Sequence, residues 1–231
     1  MRVAIVALGP SGHQWVRLAE GLGNWRAQFD EVWAVNGFAN VLQCTRGFAM
    51  DDVRIQEARA TAGNVKIRHL LEAFKKHPGP IYTSHVHPDY PSLVEYPLED
   101  VVNSCGREYF NSTVAYPICL AIHERAESIA VFGADYSFPN KHFAEKGRAC
   151  CEFWLGVAHA RGIKVAVASG SSLLDANEQD GPYGYDGFDM KWNVDEHGFR
   201  HLVKTEKPLP SAQEIEARYD KGGHLTQQAA A

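Results

Sequence analysis

The sequence predicts an α/β protein in which helices cover both faces of a mostly parallel sheet. Short apolar runs rich in Val, Ile and Ala alternate with longer stretches in which apolar residues recur at helical spacing. These runs are apolar at successive positions, as is typical of strands buried between two helical layers. The composition is that of an ordinary folded protein, since 45% of the 231 residues are hydrophobic and 22% are charged.

Strands and helices are predicted in alternation along the chain. The predicted strands cover residues 3–7, 31–35, 47–50, 81–83, 128–133 and 163–168. The first helix is predicted to start with Ser11 as its N-cap residue, and further helices are predicted over 64–76, 111–124 and 144–161. Asn111 or Ser112 is expected to cap the third of these helices, and Gly162 to end the fourth.

Two segments lack such a pattern. Residues 85–107 are rich in proline and are predicted to form a long loop with one helical turn near 98–103. Beyond about residue 180 the chain is rich in Gly, Asp and Tyr without a strong period, apart from a terminal helix predicted over 211–219. We therefore expect an α/β domain over 1–180 and a partly irregular C-terminal extension over 181–231.

Charge, cysteine content and hydropathy exclude several classes of protein. Asp and Glu outnumber Lys and Arg by 28 to 23, so the chain lacks the basic surplus of a bulk nucleic-acid binder. Five cysteines without a CxxC pair argue against a disulfide framework and a structural zinc site. No apolar run approaches the roughly 18 residues that a membrane span needs, and the first residues do not resemble a secretion signal. We therefore expect a cytoplasmic protein without membrane contact.

Small or polar residues follow most of the predicted strands. The carboxyl ends of parallel strands meet at one edge of a sheet, where proteins of this class bind their ligands. We therefore expect these residues to line one cleft, together with a helix start that contributes Ser112 and Thr113. The residues that follow strands are Gly9, Pro10, Ser11, Asn36, Asp51, Asp52, Ser84, His85, Asp135, Tyr136, Ser171 and Ser172.

Phosphate contact is predicted at two helix starts. The loop 9–12 opens a helix directly after a strand, where free N–H groups and the helix dipole bind phosphate. Ser112 and Thr113 offer a second contact of this kind. The loop is neither GxGxxG nor a Walker A sequence, and Asn36 stands where a dinucleotide-binding strand is followed by an acid, so NAD is disfavoured. Asn36 instead offers a donor and acceptors to a base or ribose.

Asp135, Tyr136 and His142 are the candidate catalytic residues. Asp135 lies at a predicted strand tip and His142 in the loop behind it, and each is a candidate base for the proton of an acceptor hydroxyl. Tyr136 is an alternative partner for that hydroxyl. Ser171 and Ser172, which follow the last predicted strand, are expected to contact the base or the ribose.

Metal ligation is the weaker alternative for several of these residues. Asp51 and Asp52 offer oxygen ligands for a divalent cation, but such a pair equally caps a helix. His85, His87 and Asp89 share one face of an extended segment, a spacing that is common by chance. We predict no metal site and leave a requirement for a divalent metal open.

Three segments of the chain together resemble a known superfamily. They are the GPS loop after the first strand, the stretch FNSTVAYPICLAIHERAESIAVFGADYSF and the stretch GIKVAVASGSSLL. They are similar to the Rossmann-like, doubly wound superfamily that holds the bacterial CMP-sialic-acid-dependent sialyltransferases, the MptE-like hydroxymethylpterin pyrophosphokinases and related motility-associated transferases. The resemblance implies a nucleotide or CMP-sugar ligand at Gly9, Ser11, Asn36, Ser112, Thr113, Gly133, Asp135, Ser171 and Ser172.

A resemblance over about residues 1–187 is to uncharacterised tailed-phage proteins of the same Rossmann-like type. The shared features are the helix start at 111–113, the sequence Cys150-Cys151-Glu152 and the YGY segment at 183–185. This resemblance implies the host cytoplasm as the location. The sialyltransferases carry a lid with a catalytic histidine, whereas the corresponding interval here is short and contains His142 as its loop histidine.

The combined expectation is a nucleotide-dependent transferase, specifically a glycosyltransferase that uses a nucleotide-activated sugar. The acceptor stays open between a sugar, a modified DNA base and a small metabolite. One alternative is a non-catalytic nucleotide-binding or host-interacting phage protein, which the shortened lid favours. Another is a pyrophosphokinase that would need ATP and Mg²⁺ and would use Asp51 and Asp52. The sequence leaves the oligomeric state open, a homo-oligomer included.

Overall fold

A computed structural model gives the fold and describes residues 1–40, 42–175, 184–185 and 187–219. The chain divides into two compact units, Met1–Glu178 and Gln179–Ala231. The first unit is built on a seven-stranded sheet. Its strands are β1 (Arg2–Val6), β2 (Glu31–Val35), β3 (Arg46–Phe48), β4 (Ile81–Thr83), β5 (Leu93–Glu95), β6 (Ser128–Phe132) and β7 (Lys164–Val167).

The strands of this sheet are all parallel, in the order β5-β4-β3-β2-β1-β6-β7. The chain moves outward from β1 to β5 and then returns to place β6 on the other side of β1. The sheet is therefore doubly wound, and the strand order reverses between β1 and β6. Such a switch point leaves a crevice at the carboxyl ends of the two strands, because their connections leave in opposite directions.

Helices cover both faces of the sheet. Val3 and Ile5 of β1 belong to one hydrophobic cluster with residues of α4 (Leu98–Cys105), α5 (Ala115–His123) and α6 (Lys141–Ala160). Ala4 and Val6 pack in another cluster with Trp15 of α1 (His13–Leu22). The predicted α/β class, with a parallel sheet between two helical layers, is confirmed. The helices of this unit are α1 (His13–Leu22), α2 (Val53–Thr61), α3 (Val65–Lys76), α4 (Leu98–Cys105), α5 (Ala115–His123) and α6 (Lys141–Ala160).

The prediction of a long loop over 85–107 is wrong at Leu93–Glu95, which forms β5, whereas the helical turn predicted near 98–103 is confirmed as part of α4. Pro91 precedes β5, which lies at the edge of the sheet, and Pro97 is the N-cap residue of α4. Both are positions where a residue without an N–H group is tolerated. Helix α2 was not predicted either, since its buried residues include a polar glutamine and a small alanine and give no apolar stripe.

Several helix starts differ from the predicted ones. Ser11 does not cap α1 but lies in a short 3₁₀ turn, Pro10–Gly12, that precedes it. Asn111 and Ser112 lie in the turn before α5, which begins at Ala115 without a side-chain cap. His142 lies in the first turn of α6 and not in a loop, because α6 begins three residues earlier than predicted, with Asn140 as its N-cap residue.

The second unit contains the strands β8 (Phe188–Val194) and β9 (Arg200–Glu206), which form an antiparallel pair, and the helix α7 (Ala212–Tyr219). The prediction of a segment without a period is wrong over β8, where apolar residues alternate with polar ones. The predicted YGY segment cannot be followed as a whole, since Tyr183 lies outside the described residues. Within the described part of the chain, none of the helices is long and apolar enough to cross a membrane.

Candidate functional site

A cavity of about 390 Å³ opens at the switch point between β1 and β6. Its volume lies within the range of roughly 300–1,000 Å³ that is typical of small-molecule sites. Its walls come from Asn36 after β2, from α6 and from three connecting segments. These segments are the β1 loop (residues 7–12), the β6 loop (residues 133–140) and the α5 turn (residues 111–114).

The predicted site residues fall into two groups. One group lines the cavity and the other lies behind its walls or outside it. The lining group consists of Gly9, Pro10, Asn36, Ser112, Thr113, Asp135 and Tyr136. The second group consists of Ser11, His142, Ser171 and Ser172.

The β1 and β6 loops meet through glycine. The N–H group of Gly9 donates to the carbonyl oxygen of Gly133 at 2.8 Å. Gly133 has a φ of +72°, and a Cβ atom there would lie 2.1 Å from the carbonyl oxygen of Ala7. A Cβ atom at Gly9 would lie 2.5 Å from the carbonyl oxygen of Gly133. The substitution Gly9→Val would therefore disturb the fold itself. A loss of phosphate binding in this variant would not show that the loop contacts phosphate.

Ser11 and Asp135 connect the same two loops through their side chains. The carboxylate of Asp135 accepts hydrogen bonds from the N–H group of Ser11, at 2.6 Å, and from its hydroxyl. The Ser11 hydroxyl oxygen accepts in turn from the N–H group of Gly133 at 2.9 Å. Ser11 is 2% exposed and Asp135 is 7% exposed. A carboxylate has about four lone-pair sites, so these two bonds leave Asp135 able to accept from a ligand in the cavity.

Residues 9–12 of the β1 loop do not offer the free N–H groups that the sequence predicts. The N–H groups of Gly9, Ser11 and Gly12 are bonded to Gly133, to Asp135 and to the carbonyl oxygen of Gly9, respectively, and Pro10 has none. The Asp135 carboxylate thus occupies the position at the start of this turn where a bound anion would lie. Its negative charge repels a phosphate there. The expectation of free donors is wrong, and phosphate contact by this loop stays a prediction without that support.

Unpaired donors lie instead in the α5 turn. Among the described residues, the N–H groups of Ser112 and Thr113 and the hydroxyl of Thr113 have no hydrogen-bond partner. They directly precede the N-terminus of α5, where the helix dipole presents partial positive charge. This wall of the cavity therefore suits an anion better than the β1 loop does.

Asn36 adds an amide to the cavity from the end of β2. Its φ is +54°, in the left-handed region that asparagine adopts more readily than most residues. Asn36 therefore adopts the left-handed backbone conformation of the turn and also lies in the cavity, as the sequence predicts. Its side-chain amide forms no hydrogen bond with any residue that the structure describes, so its donor and acceptor are available to a ligand.

Ser112, Tyr136 and Cys151 form a hydrogen-bonded chain beside the cavity. The hydroxyl oxygen of Tyr136 lies 2.8 Å from Oγ of Ser112 and 2.9 Å from Sγ of Cys151. Burial raises the pKa of Tyr136, and it raises the pKa of Cys151 to about 12. Both groups therefore keep their protons at neutral pH. Tyr136 is suited to orient a neighbouring hydroxyl, whereas it is not suited to act as a base.

Gly147 of α6 makes room for the ring of Tyr136, because a Cβ atom there would lie 2.5 Å from a ring carbon. We expect Gly147→Ala to lower the free energy of unfolding by about 1–3 kcal/mol through this overlap. Gly156→Ala is the matched control in the same helix, since nothing lies within 4 Å of a Cβ atom there. The control should raise the free energy of unfolding by about 0.5–1 kcal/mol. Urea unfolding measures both, and a stabilising effect of Gly147→Ala would contradict this packing.

Ser171 and Ser172 hold the β6 loop in place. The hydroxyl of Ser171 donates to the carbonyl oxygen of Ala134 at 2.9 Å, and that of Ser172 donates to the carbonyl oxygen of Asp135 at 2.5 Å. Neither residue lines the cavity. Their contact with a base or ribose stays a prediction. His142 is exposed on α6 and does not line the cavity either.

Phe138 and Phe143 line the cavity, and the sequence analysis did not select them. Phe138 lies in the β6 loop and Phe143 in the first turn of α6, with their ring centroids 5.6 Å apart. They are 49% and 59% exposed, respectively. The sequence pattern that could have identified them is the cluster of aromatic residues directly after Asp135 at the end of β6.

Comparisons with known proteins give a likeness at the level of structure. No family model and no curated protein matches the chain. The sialyltransferase CstII from Campylobacter jejuni in complex with the substrate analogue CMP-3FNeuAc is similar, with 15% identity, 94% of this chain and 98% of that chain covered, and a TM-score of 0.44. The sialyltransferase CST-II in complex with a trisaccharide acceptor and CMP is 15% identical, with coverages of 94% and 99% and a TM-score of 0.43. At these TM-scores the likeness assigns neither a ligand nor a reaction to this chain.

Asp51 and Asp52 lie after β3 but outside the cavity. Asp52 caps α2 by accepting from the N–H group of Arg54 at 2.9 Å, and its carboxylate also pairs with the Arg54 guanidinium. The side-chain hydrogen bond from Arg54 lowers the pKa of Asp52 to about 2. The helix-capping interpretation of this pair therefore accounts for Asp52.

Among the described residues, His87 of the 85–107 segment belongs to a cluster of potential metal ligands. His87 groups with Glu57 and Asp89, whose ligand atoms all lie within 4.8 Å of one another, and His85 is not part of the group. The N–H group of Asp89 donates to Nδ1 of His87 at 3.3 Å, and Nε2 lies 3.8 Å from a carboxylate oxygen of Glu57. Protein groups thus face both ring nitrogens, which accounts for the cluster without an ion.

Proposed function

We propose that the chain binds a nucleotide-activated sugar in the switch-point cavity and transfers its glycosyl group to an acceptor hydroxyl. The proposal rests on one observation, namely that a wall of unpaired hydrogen-bond donors and a wall of aromatic rings line the same cavity. The α5 turn presents unpaired N–H and hydroxyl donors, and the β6 loop and α6 present aromatic rings. A phosphate needs the first kind of wall and a planar base the second, at a place where doubly wound sheets bind nucleotides.

The charge of the cavity favours a donor with a single phosphate. Among the described residues that line the cavity, Asp135 carries the only charge, and it is negative. Diphosphates and triphosphates usually require arginine, lysine or a metal ion to balance their charge. A nucleoside monophosphate sugar needs less compensation, and the sequence resemblance to CMP-sugar enzymes points the same way. The pyrophosphokinase alternative loses support, since it needs ATP, Mg²⁺ and the Asp52 carboxylate that Arg54 already pairs.

The proposed reaction uses these groups in one displacement. The acceptor oxygen attacks the anomeric carbon, the bond from that carbon to the phosphate oxygen breaks, and the nucleoside monophosphate leaves. The N–H groups of Ser112 and Thr113 and the dipole of α5 would stabilise the negative charge of the leaving phosphate. Asp135 would take the proton of the acceptor hydroxyl with its remaining lone pairs.

Nucleotide binding gives the first test. We expect CMP to stabilise the protein by mass action, by about 2.7 kcal/mol at a hundred times its dissociation constant. Thr113→Val should weaken CMP binding about ten- to a hundredfold, because a hydrogen bond to a charged group is worth about 1.5–3 kcal/mol. Thr61→Val, at the exposed end of α2, is the matched control and should leave binding unchanged. Thermal melting measures all three proteins, and failure of CMP, CMP-sugars and UDP-sugars to shift the wild type would overturn the proposal.

A non-catalytic nucleotide-binding protein is the second candidate. It is favoured by the internal bonding of the candidate catalytic groups, since Asp135 is bonded to Ser11, and Tyr136 to Ser112. Donor consumption separates the two functions, because an enzyme converts a bound CMP-sugar to CMP whereas a binding protein returns it intact. Chromatography of the nucleotide after incubation with sugar, nucleoside and metabolite acceptors makes this measurement.

A further inference from the structure

Phe138 and Phe143 form an aromatic rim on the switch-point cavity, and we propose that this rim holds the planar base of the nucleotide by stacking. The inference rests on the proposed function and extends it to the part of the donor that is recognised. It assigns the base to the β6 loop and the start of α6. Ser171 and Ser172, which the sequence nominates for a base or ribose contact, lie behind the cavity wall.

The two rings contact each other and still leave much of their surface open. Their centroids are 5.6 Å apart with an interplanar angle of 65°. Single exposed apolar side chains are ordinary on a protein surface, but a cluster of them marks a place where a ligand or partner binds. Leu8 of the β1 loop is 59% exposed and lines the same cavity, so a third apolar side chain is open to a ligand there.

The rim is held by groups beneath it. Asn140 caps α6 by accepting from the N–H group of Phe143 at 3.1 Å, which fixes the helix turn that carries this ring. Phe138 packs edge to face on Tyr136, with centroids 6.2 Å apart, and Tyr136 is bonded through its hydroxyl to Ser112 and Cys151. A binding surface fixed in advance loses little conformational freedom when its ligand arrives.

Stacking and edge recognition come from different residues in this arrangement. Aromatic rings stack on any base, because every base has a π face. Asn36, with its unpaired amide in the same cavity, supplies the donor and acceptor that distinguish one base edge from another. The rim therefore contributes affinity for nucleotides in general, and Asn36 contributes selectivity among them.

The test compares CMP with ribose 5-phosphate, which keeps the phosphate and lacks the base. Isothermal titration uses the full chain as wild type and as Phe138→Leu, Phe143→Leu and the double variant. Leucine keeps an apolar side chain and removes the π face. Phe199→Leu is the matched control, because Phe199 is exposed in the second unit. Melting curves check that each variant is folded.

We expect the wild type to bind CMP at least about thirtyfold more tightly than ribose 5-phosphate. Each rim variant should lose about five- to tenfold in affinity for CMP and keep its affinity for ribose 5-phosphate. The ultraviolet hypochromism of bound cytosine should fall in the rim variants and stay unchanged in Phe199→Leu.

Two negative outcomes are distinguishable. If CMP binds but Phe138→Leu and Phe143→Leu bind it as tightly as the wild type, the stacking rim is refuted while nucleotide binding stands. The same holds if ribose 5-phosphate binds as tightly as CMP. If neither ligand nor any sugar nucleotide binds the wild type, the proposed function fails and the rim inference fails with it.

Discussion

Gly133→Ala is expected to lower the free energy of unfolding by about 3 kcal/mol or more. Two causes act at this position. The φ of +72° is costly for any residue with a Cβ atom, and that atom would lie 2.1 Å from the carbonyl oxygen of Ala7 and 2.7 Å from its carbonyl carbon. Backbone atoms of a buried strand end cannot move aside as a flexible side chain would. The β1 and β6 loops should therefore separate, and the proposed nucleotide binding should be lost with them.

Gly162→Ala separates these two causes. Gly162 has a φ of +80°, close to that of Gly133, but nothing lies within 4 Å of a Cβ atom there. This control should lose only the cost of the backbone conformation, about 1–2 kcal/mol. Urea unfolding of both variants gives the difference that belongs to the close approach of the loops. Equal losses in the two variants would show that this approach contributes nothing to stability.

Asp135→Asn is expected to reduce both stability and turnover. The new amide presents an NH₂ donor within a group whose other members, the N–H and hydroxyl of Ser11, are donors as well. A buried donor left without an acceptor costs about 1–3 kcal/mol of folding free energy. If Asp135 is also the base, turnover should fall by about 10²- to 10⁴-fold. Affinity for CMP should stay within a few-fold, because the proposed phosphate contacts lie in the α5 turn.

Ser11→Ala distinguishes the two roles of Asp135. It removes one hydrogen bond to the carboxylate and leaves the carboxylate itself, so it should lose stability and keep most of the turnover. Unfolding of the variant that carries both Ser11→Ala and Asp135→Asn completes a double-mutant cycle. The cycle gives the coupling free energy between Ser11 and Asp135. A similar loss of turnover in both single variants would assign Asp135 to positioning rather than to proton transfer. Undiminished turnover in Asp135→Asn would place the base elsewhere.

His142→Ala should reduce turnover less than Asp135→Asn does, since His142 is exposed outside the cavity.

The sequence by itself determines the class of fold and the edge of the sheet at which the cavity opens. The strands predicted over 31–35 and 81–83 agree residue for residue with β2 and β4. Strands buried on both faces leave a continuous apolar run, which is a local signal. Because such strands are parallel, their carboxyl ends lie together, and this suffices to bring Gly9, Asn36 and Asp135 to one cavity.

The tertiary structure alone decides which polar groups of that edge remain available. Ser11 and Asp135 are 124 residues apart in the chain, and their bond removes from the site the N–H group that a sequence pattern assigns to phosphate. In the same way, Ser171 and Ser172 are drawn behind the β6 loop, whereas Phe138 and Phe143 come to face the cavity. Periodicity reports whether a side chain faces the core, because burial follows the local backbone geometry. The partner of a hydrogen bond depends on which loops contact each other in space. The local sequence does not determine that contact.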